Sequence, residues 1–368
     1  MMTRVGGARR AAAGGLMAAA LVIVSVSCRD QATRSATSDA GGAAGDGAEP
    51  CGTGAAATAA ARDTGNAAAP RVTTIVVNRG THGMAARVRW TLSPDRCALL
   101  VVEDPAGVEN DPVPNGFVLA SERGGGVVVQ RDSAWDVAPS PDWTRLAYGR
   151  AYALPGGERD SMTVADWAEL GRRAGLDAAT ARRGAFASSG MTTAYALARP
   201  VIVAVSDSVA DHALPIANGW RVRWTRDGRA LVLGSRPVRA NDDAPPTQWD
   251  VVDAGTPAAR SASERAQSLG GDVSRVDAAW TDGPTIDISV APSLDSAAAI
   301  AVDGGTVESR GGTVWLRTRG RSATAVSVGP GAALAATRGG RFIVALAPAP
   351  NAARYESKVR LVVYRVER

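Results

Sequence analysis

The chain is poor in the residues from which most catalytic centres are built. Only two histidines occur in 368 residues, His82 in RGTHGM and His212 in SVADHALP. That excludes a histidine-rich metal centre and leaves a nucleophile-base pair little choice. No GxSxG elbow, Walker A loop, HExxH helix or EF-hand loop is present. Lys358 is the only lysine, so arginine carries nearly all the positive charge. The 41 basic residues are almost matched by 36 acidic ones, and the net charge of +5 is spread thinly. With no basic tail and no run of alternating arginines and aromatics, a nucleic-acid partner is not expected. Nothing in these patterns calls for a metal or a cofactor.

The N-terminus carries more information. Arg4, Arg9 and Arg10 precede an uncharged small and apolar run, Ala11 to Val26, that ends in SVSC. A basic start, a greasy middle and small residues at the end make up an export signal, here residues 1–27. The run is shorter than the roughly 20 apolar residues a membrane span requires. Cys28 stands at the cut, and the stretch resembles a bacterial lipoprotein signal with its lipid-accepting cysteine. That resemblance implies a protein lipid-anchored on the periplasmic or cell-surface face of a membrane. Ser25 and Ser27 also suit an ordinary signal peptidase, which leaves plain secretion open. If Cys28 is acylated, Cys51 and Cys97 remain, either bonded in an oxidising compartment or as two thiols with Cys97 buried in a strand.

Residues 28–70 are almost devoid of large apolar side chains. Such a segment buries too little surface to offset the entropy of ordering, so it is expected to be a flexible tether. From Arg71 to the end the texture changes to short β-branched runs bounded by Gly, Pro, Asp and Asn, such as VTTIVV, CALLVV, PVIVAV, TVWLRT and KVRLVVY. These have strand length and strand composition, and they predict an all-β domain over 71–368.

The runs repeat. RVRWT at Arg87 to Thr91 returns letter for letter at Arg221 to Thr225, a separation of 221 − 87 = 134. That is close to three units of about 45 residues, the length of a four-stranded propeller blade. Each copy leads through a turn containing an aspartate, Asp95 or Asp227, and between them WDVAPSPDWTRLAYG supplies a third, Asp142. Weaker copies are AWTDGPTIDISV from Ala279, APSLDSAAAIAV from Ala291 and AATRGGRFIVALA from Ala335, the last two degenerate. Pro94 and Pro141 preset φ for a turn, and the aspartates can accept from amides just beyond them, so all three are assigned to turn stability. SPDRCALLVV and SPDWTRLAY are similar to the PD40 repeat of TolB-like β-propellers, which are periplasmic. The resemblance implies a propeller, and about three hundred residues at roughly 40 to 45 per blade, less the helical segment, suggest about six four-stranded blades.

One segment breaks the β texture. TVADWAELGRRAGLDAATARRG, Thr163 to Gly184, has a cap in Thr163, an interruption at Gly175 and a second cap in Asp177. It superficially resembles a helix-turn-helix, but an exported protein does not meet DNA. A helical hairpin inserted between strands, at about 160–186, is the expectation.

Candidate ligand residues are Glu109 and Asp111 in EDPAGVENDPVPNG and His212, all in loop-like sequence at a blade rim. With no catalytic constellation in view, the sequence reads as a non-enzymatic, monomeric envelope lipoprotein. Its propeller would be a platform for an envelope protein or a glycan, beside the membrane contact of its lipid. The alternative is a propeller hydrolase or lyase, its site assembled at the channel mouth from single residues on separate blades.

Overall fold

The computed structural model describes Cys51 and residues 70–77, 85–105, 115–123, 126–158, 161–187, 194–205, 211–235, 248–254, 267–270, 278–279, 283–287, 294, 298–319, 324–349 and 359–367. Its strands assemble an all-β propeller. Strand β1 (Arg71–Val76) opens the domain. The first blade is the antiparallel meander β2 (Ala85–Leu92), β3 (Ala98–Pro105), β4 (Asn115–Ser121) and the start of β5 (Val127–Pro139). Strand β5 is long enough to serve twice: Val127 to Arg131 pair with β4, and Ala134 to Pro139 pair with β6 (Arg145–Glu158). A register shift between Ala134 and Val137 marks the change of blade.

The second blade continues from β6 across the helical segment and β7 (Ala185–Ala187) to β8 (Ala194–Ala204) and β9 (Asp211–Ala213). The third is β10 (Arg221–Thr225), β11 (Ala230–Ser235), β12 (Gln248–Asp253) and β13 (Gln267–Gly270). Two short strands follow: β14 (Ala278–Ala279) pairs with β10, and β15 (Thr285–Asp287) pairs with β2. The next blade is β16 (Ala299–Val302), β17 (Gly305–Arg310), β18 (Thr313–Thr318) and β19 (Ala325–Pro330). The last is β20 (Ala332–Ala336), β21 (Phe342–Pro348) and β22 (Val359–Glu367), completed by β1 from the other end of the domain. Five such four-stranded groups are traced among the described residues.

Alternation explains how the blades stack, because successive residues of a strand face opposite neighbours. Leu99, Val101, Val118 and Ala120 of the first blade pack on Phe342, Val344 and Leu361 of the last. Their neighbours Leu100, Val102, Phe117 and Leu119 pack on Val137, Leu146, Tyr148 and Val201 of the second. The second meets the third through Ala147, Ile202, Val222, Trp224 and Leu231. Trp224 is fully buried there, and its Nε1 donates to the Ala138 carbonyl at 3.0 Å, so one side chain both fills and bonds the blade interface.

The helices run over Val164–Ala174 and Ala178–Gly184. Thr163 and Asp166 form a reciprocal capping box, Gly175 ends the first helix at φ 64°, and Asp177 caps the second. Their apolar face, Leu170, Ala174 and Ala181, is buried on Leu154 and Leu197 of β6 and β8. The hairpin is therefore part of the second blade's packing.

Candidate functional site

The repeat turns share one hydrogen-bond pattern. Ser93, Ser140 and Thr225 each donate a side-chain hydroxyl at 2.6 Å to the aspartate two residues on, Asp95, Asp142 and Asp227. The amide two residues beyond each aspartate donates back to it, from Cys97, Thr144 and Arg229 at 3.0, 3.1 and 3.0 Å. Between them stands a left-handed residue, Arg96 and Trp143 at φ 59° and Gly228 at φ 71°. Desolvation pushes the Asp95 carboxyl up, but bonds from Ser93, Arg123 and the Cys97 amide outweigh it and hold the group at about 2. These carboxylates are engaged in closing the turns.

The turns also fix the register between blades. Asp95 and Asp227 are 227 − 95 = 132 positions apart, whereas the RVRWT copies are 134 apart. The pentapeptides are thus offset by two residues, and Arg221, not Arg223, occupies the place of Arg89. An offset of two preserves the face of a strand. The corresponding residue of the second blade is Asp136, four before Ser140 as Arg89 is four before Ser93.

These equivalent positions converge. Asp136, on β5, is 1% exposed. It accepts from Arg89 Nη2 of the first blade at 3.2 Å, from the Val222 amide of the third at 3.1 Å, and from Arg223 Nη1. Burial alone would raise its pKa; the charges of Arg223, Arg89 and Arg221 outweigh it and hold the carboxyl below the ordinary range. One carboxylate on the second blade thus faces three guanidiniums, Arg89 from the first strand of the first blade and Arg221 and Arg223 from the first strand of the third. Arg89 retains 24% of its side-chain exposure, against 9% for Arg223. Arg221 lies 5.9 Å from the ring of Trp220, which packs on Trp135 at 4.8 Å between centroids. Among the described residues the arrangement sets three guanidiniums around one buried carboxylate beside the Trp220 ring, and burial strengthens guanidinium-anion attraction.

A second polar cluster lies on the blade rim. Asp211 of β9 accepts from Arg131 Nη2 at 2.8 Å, from the Tyr148 hydroxyl at 3.1 Å and from Arg150. Desolvation raises the Asp211 carboxyl's pKa, and Arg131 and Arg150 bring it below the ordinary value. The neighbouring His212 is exposed on the same short strand. Among the described residues no group of three His, Cys, Asp or Glu side chains is placed to hold a metal ion.

Of the residues singled out in the sequence, Asp95, Asp142 and Asp227 lie in turns, and His212 lies outside the Asp136 cluster. Glu109, Asp111 and Cys28 lie outside the described residues. Cys51 and Cys97 are joined, with Cα atoms 5.4 Å apart. The Asp136 cluster was missed because its members are a single Asp in WDV and arginines inside an apolar repeat. The usable signal was their shared strand position once the turns are aligned.

No family model and no curated protein matches the chain. Solved structures of similar architecture include hydrazine synthase of Kuenenia stuttgartiensis, 12% identical with a TM-score of 0.28, over 65% of this chain and 57% of that one. Another is acylaminoacyl peptidase of Pyrococcus horikoshii, 12% identical with a TM-score of 0.26, over 76% of this chain and 38% of that one. A third is the β-propeller domain of the Trilobed protease of Pyrococcus furiosus, 11% identical with a TM-score of 0.23, over 73% and 66%. The chain spans less than two thirds of the synthase and the acylaminoacyl peptidase. The expectation of a non-enzymatic protein is corrected by this comparison, because the propellers it resembles include those of a peptidase and a protease. At these identities and scores the likeness assigns no particular activity.

Proposed function

We propose that the chain is an exported, lipid-anchored propeller hydrolase or lyase that takes a carboxylate-bearing envelope protein or glycan at the inner-strand arginines. The observation that carries this reading is Asp136, buried among Arg89, Arg221 and Arg223 where three blades converge. A carboxylate held below the ordinary range is a weak base at neutral pH, so Asp136 is assigned to positioning. It fixes Arg223 and one nitrogen of Arg89, leaving Arg89 and Arg221 to meet an anion. Guanidiniums oriented in advance bind a carboxylate in the ground state and stabilise the negative charge that grows during hydrolysis or β-elimination.

The TolB-like PD40 resemblance and the export signal support an envelope location, and the Cys51–Cys97 bond agrees with an oxidising compartment. Cys28 is assigned as the lipid-bearing residue, with residues 29–70 as its tether.

The test uses oligoglutamate and oligogalacturonate as probes, for binding and for cleavage, with the wild-type protein and with Arg89→Ala and Arg221→Ala. Each substitution is expected to weaken probe binding by about tenfold or more, as for loss of one charged hydrogen bond. Unchanged binding in both variants, or no binding of either probe to the wild type, would overturn the assignment.

A further inference from the structure

The turn motif has a fourth copy with a member missing. Thr337 occupies the Ser/Thr position: its amide donates to the Phe342 carbonyl at 2.9 Å and its hydroxyl accepts from the Phe342 amide at 3.0 Å. The corresponding distances at Ser93 and Ala98 are 2.9 and 2.8 Å. Gly340 is left-handed at φ 70°, in the place of Arg96, Trp143 and Gly228. Where the other three copies carry aspartate, this one has Gly339.

The carboxylate comes from another blade. Glu122, which follows β4 of the first blade, accepts from the Thr337 hydroxyl and from the Arg341 amide at 3.0 Å through Oε1. These are the hydroxyl and the amide that the resident aspartate serves elsewhere. Its Oε2 also accepts from the Gly339 amide at 3.0 Å. Glu122 is itself tied to the first blade's turn, its amide donating to the Cys97 carbonyl at 2.9 Å. A Cβ on Gly339 would stand 2.5 Å from Oε2, so the glycine is what makes room for the visitor.

We infer that Glu122 is a latch supplied in trans: the last blade completes its turn only when the first blade is docked against it. The missing aspartate makes local folding of the last blade conditional on closure of the ring. A flanking contact lies on the same seam, where the Arg338 amide donates to the Arg96 carbonyl at 2.8 Å.

The test is a double-substitution cycle read by urea unfolding and by amide hydrogen exchange of the full chain. Glu122→Ala should speed exchange of the Gly339 and Arg341 amides by about tenfold or more. Gly339→Asp alone should lower the urea midpoint, because its side chain collides with Glu122. In the Glu122→Ala background the same aspartate should raise the midpoint and restore slow exchange at Arg341, a reversal of sign that independent sites do not show. Glu122→Gln, which keeps the volume and one acceptor oxygen, provides a folded arm should the alanine variant fail to fold. It should show intermediate exchange. Unchanged exchange at Arg341 in both Glu122 variants, or an aspartate at 339 that is harmful in either background, would overturn the latch.

Discussion

Asp136 shows how one buried carboxylate ties sequence-distant strands into a single electrostatic unit. Removing one partner of a buried pair is costly because the other is left charged and unpaired. Asp136→Asn is therefore expected to destabilise the protein by about 3–5 kcal/mol at neutral pH. The pH dependence has a definite sign. The folded pKa of Asp136 is depressed, so its contribution is fully present above the unfolded value, about 3.9, and is lost as pH falls towards the folded value. Urea midpoints measured from pH 7 down to pH 3 should fall below about pH 4 in the wild type, and less steeply in Asp136→Asn. Parallel curves would mean that Asp136 is not the group responsible. Asp95, whose side chain is 40% exposed, is screened by solvent and adds little to that slope.

At the level of elements, the turn is the unit that repeats. Asp142 accepts from the Ser140 hydroxyl at 2.6 Å and from the Thr144 amide and hydroxyl at 3.1 and 2.8 Å. Asp142→Ala should cost about 1 kcal/mol in unfolding free energy, and should leave probe binding at Arg89 and Arg221 unchanged. A loss of binding at unchanged stability would transfer Asp142 from the turn to the site. These turns were readable because Ser-Pro-Asp encodes its own geometry within six residues; the helix caps Thr163 and Asp177 were readable for the same reason. The two-residue offset of RVRWT was hidden by its identical letters and shows only when positions are counted from the aspartates; the pairing of Trp224 with Leu231 and of Leu92 with Leu99 agrees with that count. The Asp136 and Glu122 contacts were equally hidden, since they join residues 87 and 219 positions apart and neither carries a local pattern. The propeller was thus legible in its periodic parts, and the candidate site only after the blades had been set side by side.

For the whole domain, the question is what holds a ring of blades closed. The pairing of β1 with β22 over Arg71 to Val76 makes the first and last strands of the domain part of one blade. The Gln130 Nε2 donation to the Val76 carbonyl at 2.7 Å fastens β1 to the first blade as well. The Cys51–Cys97 bond adds a covalent tie across 46 positions, from the segment before β1 to the turn between β2 and β3. Reduction frees that loop in the unfolded chain, and the entropy regained there is worth about 2–4 kcal/mol. A Cys51→Ser/Cys97→Ser variant should therefore unfold at lower urea than the wild type, by that amount. Adding reductant should lower the wild type to the level of the variant and leave the variant unmoved. The loss should fall on the seam, so amide exchange should quicken at Val77, whose amide donates to the Leu361 carbonyl at 3.2 Å, before it quickens at Ser140 in the second blade. Equal quickening at both sites would show that the bond stabilises the domain as a whole and is not a fastening of its seam.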